Sequence, residues 1–235
     1  MTGAQRRSHR IASVMAGLAI VGTLLTGYAA GGSSEAAAAP AASTVAGHTP
    51  HDSNLQKEIA LYTTMRELWM DHMQWTYATV DAYFHNQKAL QPTLDRLLQN
   101  QKDIGAAAVP YYGKAAGDEL ADLLTTHIKQ AVPVLKAAQA GDKAALNKAL
   151  ADWYANAKEI ADFLSAANPE NWPTSATEPM MKAHIDQTTV YAVDLLKGGY
   201  AEAIKDYDKA FDHMMMLSDT LSQGIIAQFP DEFCA

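Results

Sequence analysis

The sequence predicts an all-α protein, an antiparallel helical bundle of about six helices built from three tandem αα-hairpins. Three observations lead there. Strand-like alternation is nearly absent, apolar residues recur at spacings of three and four, and Gly, Pro and Asn cut the chain into pieces of helical length. Leu55, Ile59, Tyr62, Trp69, Met73, Thr76, Val80 and Tyr83 form the stripe of the first helix. Gln91-Pro92 opens the second, because proline suits a first helical turn, and Gly105 to Gly113, with Pro110, closes it. The third spans Gly117 to Ala140 and stops at Gly141-Asp142; the fourth spans Lys143 to Ala167. Asn168-Pro169-Glu170-Asn171-Trp172-Pro173 breaks the chain before a fifth helix at Thr177 to Lys197. Gly198-Gly199 then precedes the sixth, Tyr200 to Gln228.

The chain divides into residues 1–30, 31–53 and 54–233. Arg6, Arg7 and Arg10 precede an apolar run from Ile11 to Leu25, and small residues follow at Ala29 and Ala30, the layout of a secretory signal peptide. The run is shorter than the roughly 20 residues a membrane span needs, so no integral span is expected in the mature protein. Leu25-Thr26-Gly27 resembles the start of a lipoprotein box, but Tyr28 stands where the lipid-bearing cysteine would be. The expected location is secreted or extracytoplasmic, with cell-surface retention as the variant. Residues 31–53, rich in Ala, Gly, Ser and Pro, read as a flexible tether.

The formal net charge is −8, and removal of three arginines with the signal takes it to −11. An acidic chain of this kind does not suit nucleic acid. The single cysteine, Cys234, cannot form an internal disulfide, so the core alone must hold the fold.

Self-comparison gives the most specific feature. The helix centres LWMDHMQW, LLQNQKDI, LLTTHIKQ, WYANAKEI, MMKAHIDQ and AFDHMMML each carry a histidine or asparagine: His72, Asn100, His127, Asn156, His184 and His213. The steps between them are 28, 27, 29, 28 and 29 residues, so a unit of about 56 residues repeats. In an antiparallel bundle these midpoints lie at one height. The sequence therefore predicts a central polar layer, with His127 and His184 buried and Asn100 or Asn156 hydrogen-bonded within it.

Imidazole is a common metal ligand, so His72, His127, His184 and His213 are candidate ligands for a transition metal such as zinc or copper. Asn100 and Asn156, with Asp103 and Glu159 one turn on, are candidates to contact a bound ligand or to hydrogen-bond the residues that do. Three function classes follow. The first is an extracytoplasmic binding protein of unknown specificity, holding a metal ion or small ligand in the layer. The second is a structural or interaction module whose layer is architectural. The third is an enzyme using the histidines as acid–base groups. The spacing is not the Glu-x-x-His pattern of di-iron bundles. There is no P-loop, GxGxxG, GxSxG, HExxH or CxxC.

The segments LWMDHMQWT, LLTTHI, WYANAKEIADFLSAANPENWP, MMKAHI and SDTLSQGIIAQFPDEF resemble an uncharacterised family of exported all-helical proteins of soil bacteria. The likeness runs from about Leu55 to Phe233. It implies a shared fold and shared His/Asn positions, and no activity. The labels glycosyltransferase and acetylglutamate kinase attach to such chains. Both would need an α/β sheet and a phosphate-binding loop, which the sequence lacks.

Overall fold

The computed structural model describes residues 50–234, with side chains from 54 onward. The expected signal peptide and most of the tether lie outside these residues. The described chain is all-α: α1 Pro50–His85, α2 Gln87–Ala140, α3 Lys143–Ala167, α4 Thr174–Leu196, α5 Tyr200–Gln228 and the single turn α6 Pro230–Phe233. Among the described residues there is no strand, and no helix is long and apolar enough to cross a membrane.

The expected second and third helices appear as one continuous element, α2, but the chain doubles back inside it. Gly113 has φ 81° and ψ 166°, a conformation almost confined to glycine. In a straight helix Gly105 and Gly117 would stand about 18 Å apart. Instead a Cβ placed on Gly105 would meet the Gly117 carbonyl oxygen at 2.4 Å, so the two backbones touch. The break falls at Gly113 itself, and helix runs up to it on both sides. Pro110, expected as part of a loop, lies inside the helix. So does Pro92, because α2 starts at Gln87 with only Asn86 between it and α1.

Elsewhere punctuation sits where the residue types place it. Gly141 closes α2 in the left-handed conformation, donating its N–H to Ala137 and Ala138 carbonyls, and Asp142 caps α3 by accepting from Ala145 N–H at 3.0 Å. The Asn168–Pro173 break is held by side chains. Asn168 Nδ2 donates to Gly224 O at 2.8 Å, and Trp172 Nε1 donates to Thr220 O at 3.2 Å.

The helices form a closed set of neighbours: α1 packs on α2, α2 on α3, α3 on α4, α4 on α5, and α5 returns to α1. Within α1 the buried register is Leu61, Met65, Trp69, Met73, Thr76 and Val80. Leu55 and Ile59, expected on the buried stripe, are about half exposed at 52% and 53%. Met65 fills the gap between Tyr62 and Trp69 that the expected stripe left open, and Leu61 is buried where the stripe had placed Tyr62, which turns the buried face away from Leu55.

The close approach at the reversal gives a direct check. Gly105→Ala and Gly113→Ala should each cost roughly 1–3 kcal/mol, the first by overpacking and the second by backbone strain. Thermal unfolding would read this as a fall of several degrees. An unchanged melting temperature for Gly113→Ala would mean the chain does not turn there.

Candidate functional site

The six aligned residues come from α1 (His72), the two arms of α2 (Asn100, His127), α3 (Asn156), α4 (His184) and α5 (His213). Five of them are buried: His72 and His127 at 2% exposure, His184 at 3%, Asn156 at 1% and Asn100 at 0%. His213 is only partly buried.

One hydrogen bond recurs three times. Asn100 Nδ2 donates to Leu68 O at 2.9 Å, Asn156 Nδ2 donates to Leu123 O at 3.3 Å, and His213 Nε2 donates to Met180 O at 2.9 Å. Leu68, Leu123 and Met180 stand four residues before His72, His127 and His184. A helix carbonyl has two lone pairs and its own ladder uses one. In each case the neighbouring helix takes the second, one turn below a histidine. His213 therefore plays the part that asparagine plays in the other two pairs.

The remaining histidines meet in the interior. Five rings stand in a row: Trp153, His127, His184, His72 and Trp69. Successive centroids are 5.2, 5.7, 5.6 and 5.6 Å apart. His127 Nδ1 lies 3.0 Å from Asn156 Oδ1. Because Asn156 Nδ2 is committed to Leu123 O, the amide cannot be turned over, and its oxygen faces the ring. An oxygen only accepts, so His127 carries its proton on Nδ1, and Nε2 presents a bare lone pair. Gln101, which the sequence reading missed, donates from Nε2 to Leu97 O at 2.8 Å and to Asn100 Oδ1 at 3.2 Å, with His72 Nδ1 3.4 Å away.

Burial keeps the cluster uncharged. It pushes His72 down to about 3, with nearby His127 adding to the fall and Gln101 opposing it. His127 falls to about 4 by burial, against the pull of Asn156. His184 lies well below the ordinary value, by burial and then by the proximity of His72, His127 and His213.

A cavity of about 70 Å³ opens beside the row, lined by His72, His127, His184, Trp153, Thr76, Thr79, Thr188 and Thr189, with Val80, Phe84, Leu97 and Leu135 among its apolar walls. No ionised side chain lines it. Several of these residues hold buried polar atoms without a partner: Thr79 Oγ1, His127 Nε2, Trp153 Nε1, His184 Nδ1 and Thr189 Oγ1. On the other side of the row a second cavity of about 40 Å³ is lined by Met65, Trp69, Ile104, Leu124 and Met181 among others, and polar surface is nearly absent from both cavities.

The carboxylates do not join the layer. Asp103 accepts from Gln99 at 2.9 Å and pairs with Arg96 at 3.7 Å on the outside of α2, and Glu159 is exposed. A step of three residues is a net turn of about 60°, and it is away from Leu97 and Ile104, or Trp153 and Ile160, which lie buried on the other side of each asparagine. His213 faces a carbonyl rather than the other three imidazoles. Among the described residues no group of three or more His, Cys, Asp or Glu is arranged to hold a metal ion. The methionines scatter: Met73 and Met214 are core, while Met70 and Met216 are exposed. No protein-family model, curated protein or solved structure matches the chain.

The buried imidazoles set a pH dependence. Their folded pKa values lie below the unfolded value of about 6.5, so the unfolded chain binds more protons as pH falls. Stability is fully present above about pH 6.5 and is lost on the way down toward about 4 and then 3. Each histidine contributes up to about 1.4 kcal/mol per pH unit. Denaturant unfolding between pH 7 and 4 should therefore show a steep loss, made shallower by about one proton in His127→Gln. Identical slopes for the two proteins would show that His127 is not held neutral.

Proposed function

We propose that this chain is an exported binding protein that holds a small ligand in the cavity beside the central His/Asn layer. The cavity itself carries the reading: an almost wholly apolar space of about 70 Å³ beside the ring row. Its lining residues Thr79, His127, Trp153, His184 and Thr189 hold partnerless polar atoms buried behind that apolar surface. Buried donors and acceptors are nearly always paired, and each unpaired one costs on the order of 1–3 kcal/mol.

The same proposal includes the finer architecture: three αα-hairpins in tandem, closed into an antiparallel bundle. The recurrence of one side-chain-to-carbonyl bond at equivalent points supports it. So does the direction of the contacts between α1 and α2. Leu68 O meets Asn100, whereas Trp75, further along α1, meets the earlier residue Arg96.

A metal ion is the second reading. His127 favours it, since a ligating imidazole usually has its other N–H fixed by a hydrogen bond, as Asn156 fixes this one. Against it, the cavity offers no negative charge to balance a cation. Acid–base catalysis gains less support, because imidazoles held at about 3 and about 4 are weak bases at neutral pH.

Thermal unfolding of protein prepared without a histidine tag tests the reading. Small neutral molecules should raise the melting temperature saturably, because a ligand stabilises the state that binds it. Ala138→Leu, which adds bulk at the cavity wall, should abolish that response. Stoichiometric zinc or copper on elemental analysis would move the assignment to the metal reading. No response to any additive would leave the layer architectural. Export is checked by the intact mass of the released protein, which should begin near residue 30; retention of Met1 would contradict it.

A further inference from the structure

The shape and surface of the larger cavity name a class of ligand, and the inference rests on the binding reading above.

The wall starts at the ring row and follows three helices away from it. It runs from His72 to Phe84 on α1, from His127 to Ala138 on α2 and from His184 to Val193 on α4. Each stretch ends within three residues of its helix's C-terminus, at His85, Ala140 and Leu196. The cavity is therefore drawn out along the helices. Val132, on its wall, is 39% exposed and carries it to the surface. The volume, about 70 Å³, is roughly half of the 150 Å³ that admits benzene. It excludes an aromatic ring and leaves room for a few carbons in line.

The surface facing this space is almost wholly apolar. Thr76 turns its hydroxyl away, donating to His72 O of its own helix at 2.6 Å, and the partnerless atoms of Thr79, His127 and Trp153 lie buried behind the wall. An ordered water needs two to four polar partners, which such a wall does not offer. A charged group drawn inside would lose its hydration with nothing in return. Hydrocarbon only gains by leaving water. The geometry points to the end of an unbranched alkyl chain as the occupant, its last few carbons against Ile128 and Thr188 and its polar head left in water beside Val132. No bond is made or broken, so no co-reactant is involved.

The test is calorimetric titration of the tag-free full chain at neutral pH, with straight-chain carboxylates as probes. From butanoate to hexanoate the affinity should rise about fourfold for each carbon, the gain that burying one CH₂ carries. Hexylammonium should bind within about tenfold of hexanoate, because the head stays in water. Cyclohexanecarboxylate should bind at least about tenfold more weakly than heptanoate, which has the same number of carbons. In NMR spectra the terminal methyl of hexanoate should show contacts to Ile128, and the methylene beside its carboxylate to Val132. Ala131→Leu, which takes up wall space between Ile128 and Leu135, should weaken hexanoate at least about tenfold. Nitrogen-15 spectra should still place the His127 proton on Nδ1 in that variant, which separates a filled cavity from a misfolded layer. Saturable binding that ignores chain length, that prefers the ring to the chain, or that takes up propane or xenon but not hexanoate would overturn the alkyl-chain assignment and leave the binding reading standing. No saturable response to any probe would overturn both.

Discussion

The second lone pair of a helix carbonyl is the feature on which the interior depends. Three times, a side chain from the next helix reaches the carbonyl one turn before a buried histidine: Asn100 to Leu68, Asn156 to Leu123, His213 to Met180. Such a bond fixes the axial position of one helix on another, because a slip of one residue would bring a different carbonyl, turned by about 100°, to the donor. Hydrophobic packing among Leu, Met and Trp side chains is far less particular about register. The layer therefore supplies directionality that the surrounding core does not.

Fixing the amides also fixes the imidazoles. Asn156 can offer only its oxygen to His127, and that decides which nitrogen is protonated. Burial then excludes a second proton, as the values near 3 and 4 for His72 and His127 express. The consequence is a polar but uncharged interior. The five-ring row from Trp153 to Trp69 separates two cavities, of about 70 and 40 Å³, both almost wholly apolar at their surface. Register and tautomer are thus successive results of the same few amide contacts.

Much of this was legible in the sequence, for physical reasons. The His/Asn positions stood out because repeated units that bury equivalent faces keep equivalent residues in phase. Burial of His127 and His184 followed from the apolar stripe around them. The splitting of the histidines was harder. All six follow an apolar residue by three, but four residues before His72, His127 and His184 stand apolar Leu68, Leu123 and Met180, whereas charged Arg96, Asp152 and Lys209 stand four before Asn100, Asn156 and His213. That difference, read alone, assigns His213 to the asparagine role. Asp103 and Glu159 looked close because linear spacing hides rotation around the helix. The reversal in α2 was expected as a loop from Gly105 to Gly113, yet one glycine suffices when Gly105 and Gly117 allow the backbones to touch. The cavity itself left no trace in the sequence, since an internal space is a deficit of packing between helices and not a property of any one of them.

The central claim is that the amide contacts dictate a neutral layer with defined tautomers. Neutron diffraction from a crystal exchanged into heavy water at neutral pH tests it most directly. The account predicts deuterium on His127 Nδ1 and none on Nε2, with the Asn156 amide nitrogen turned to Leu123 O. It also predicts deuterium on His213 Nε2 and a single deuteron on each of His72, His127 and His184. A doubly deuterated imidazole in the row, or an Asn156 amide turned the other way, would contradict it.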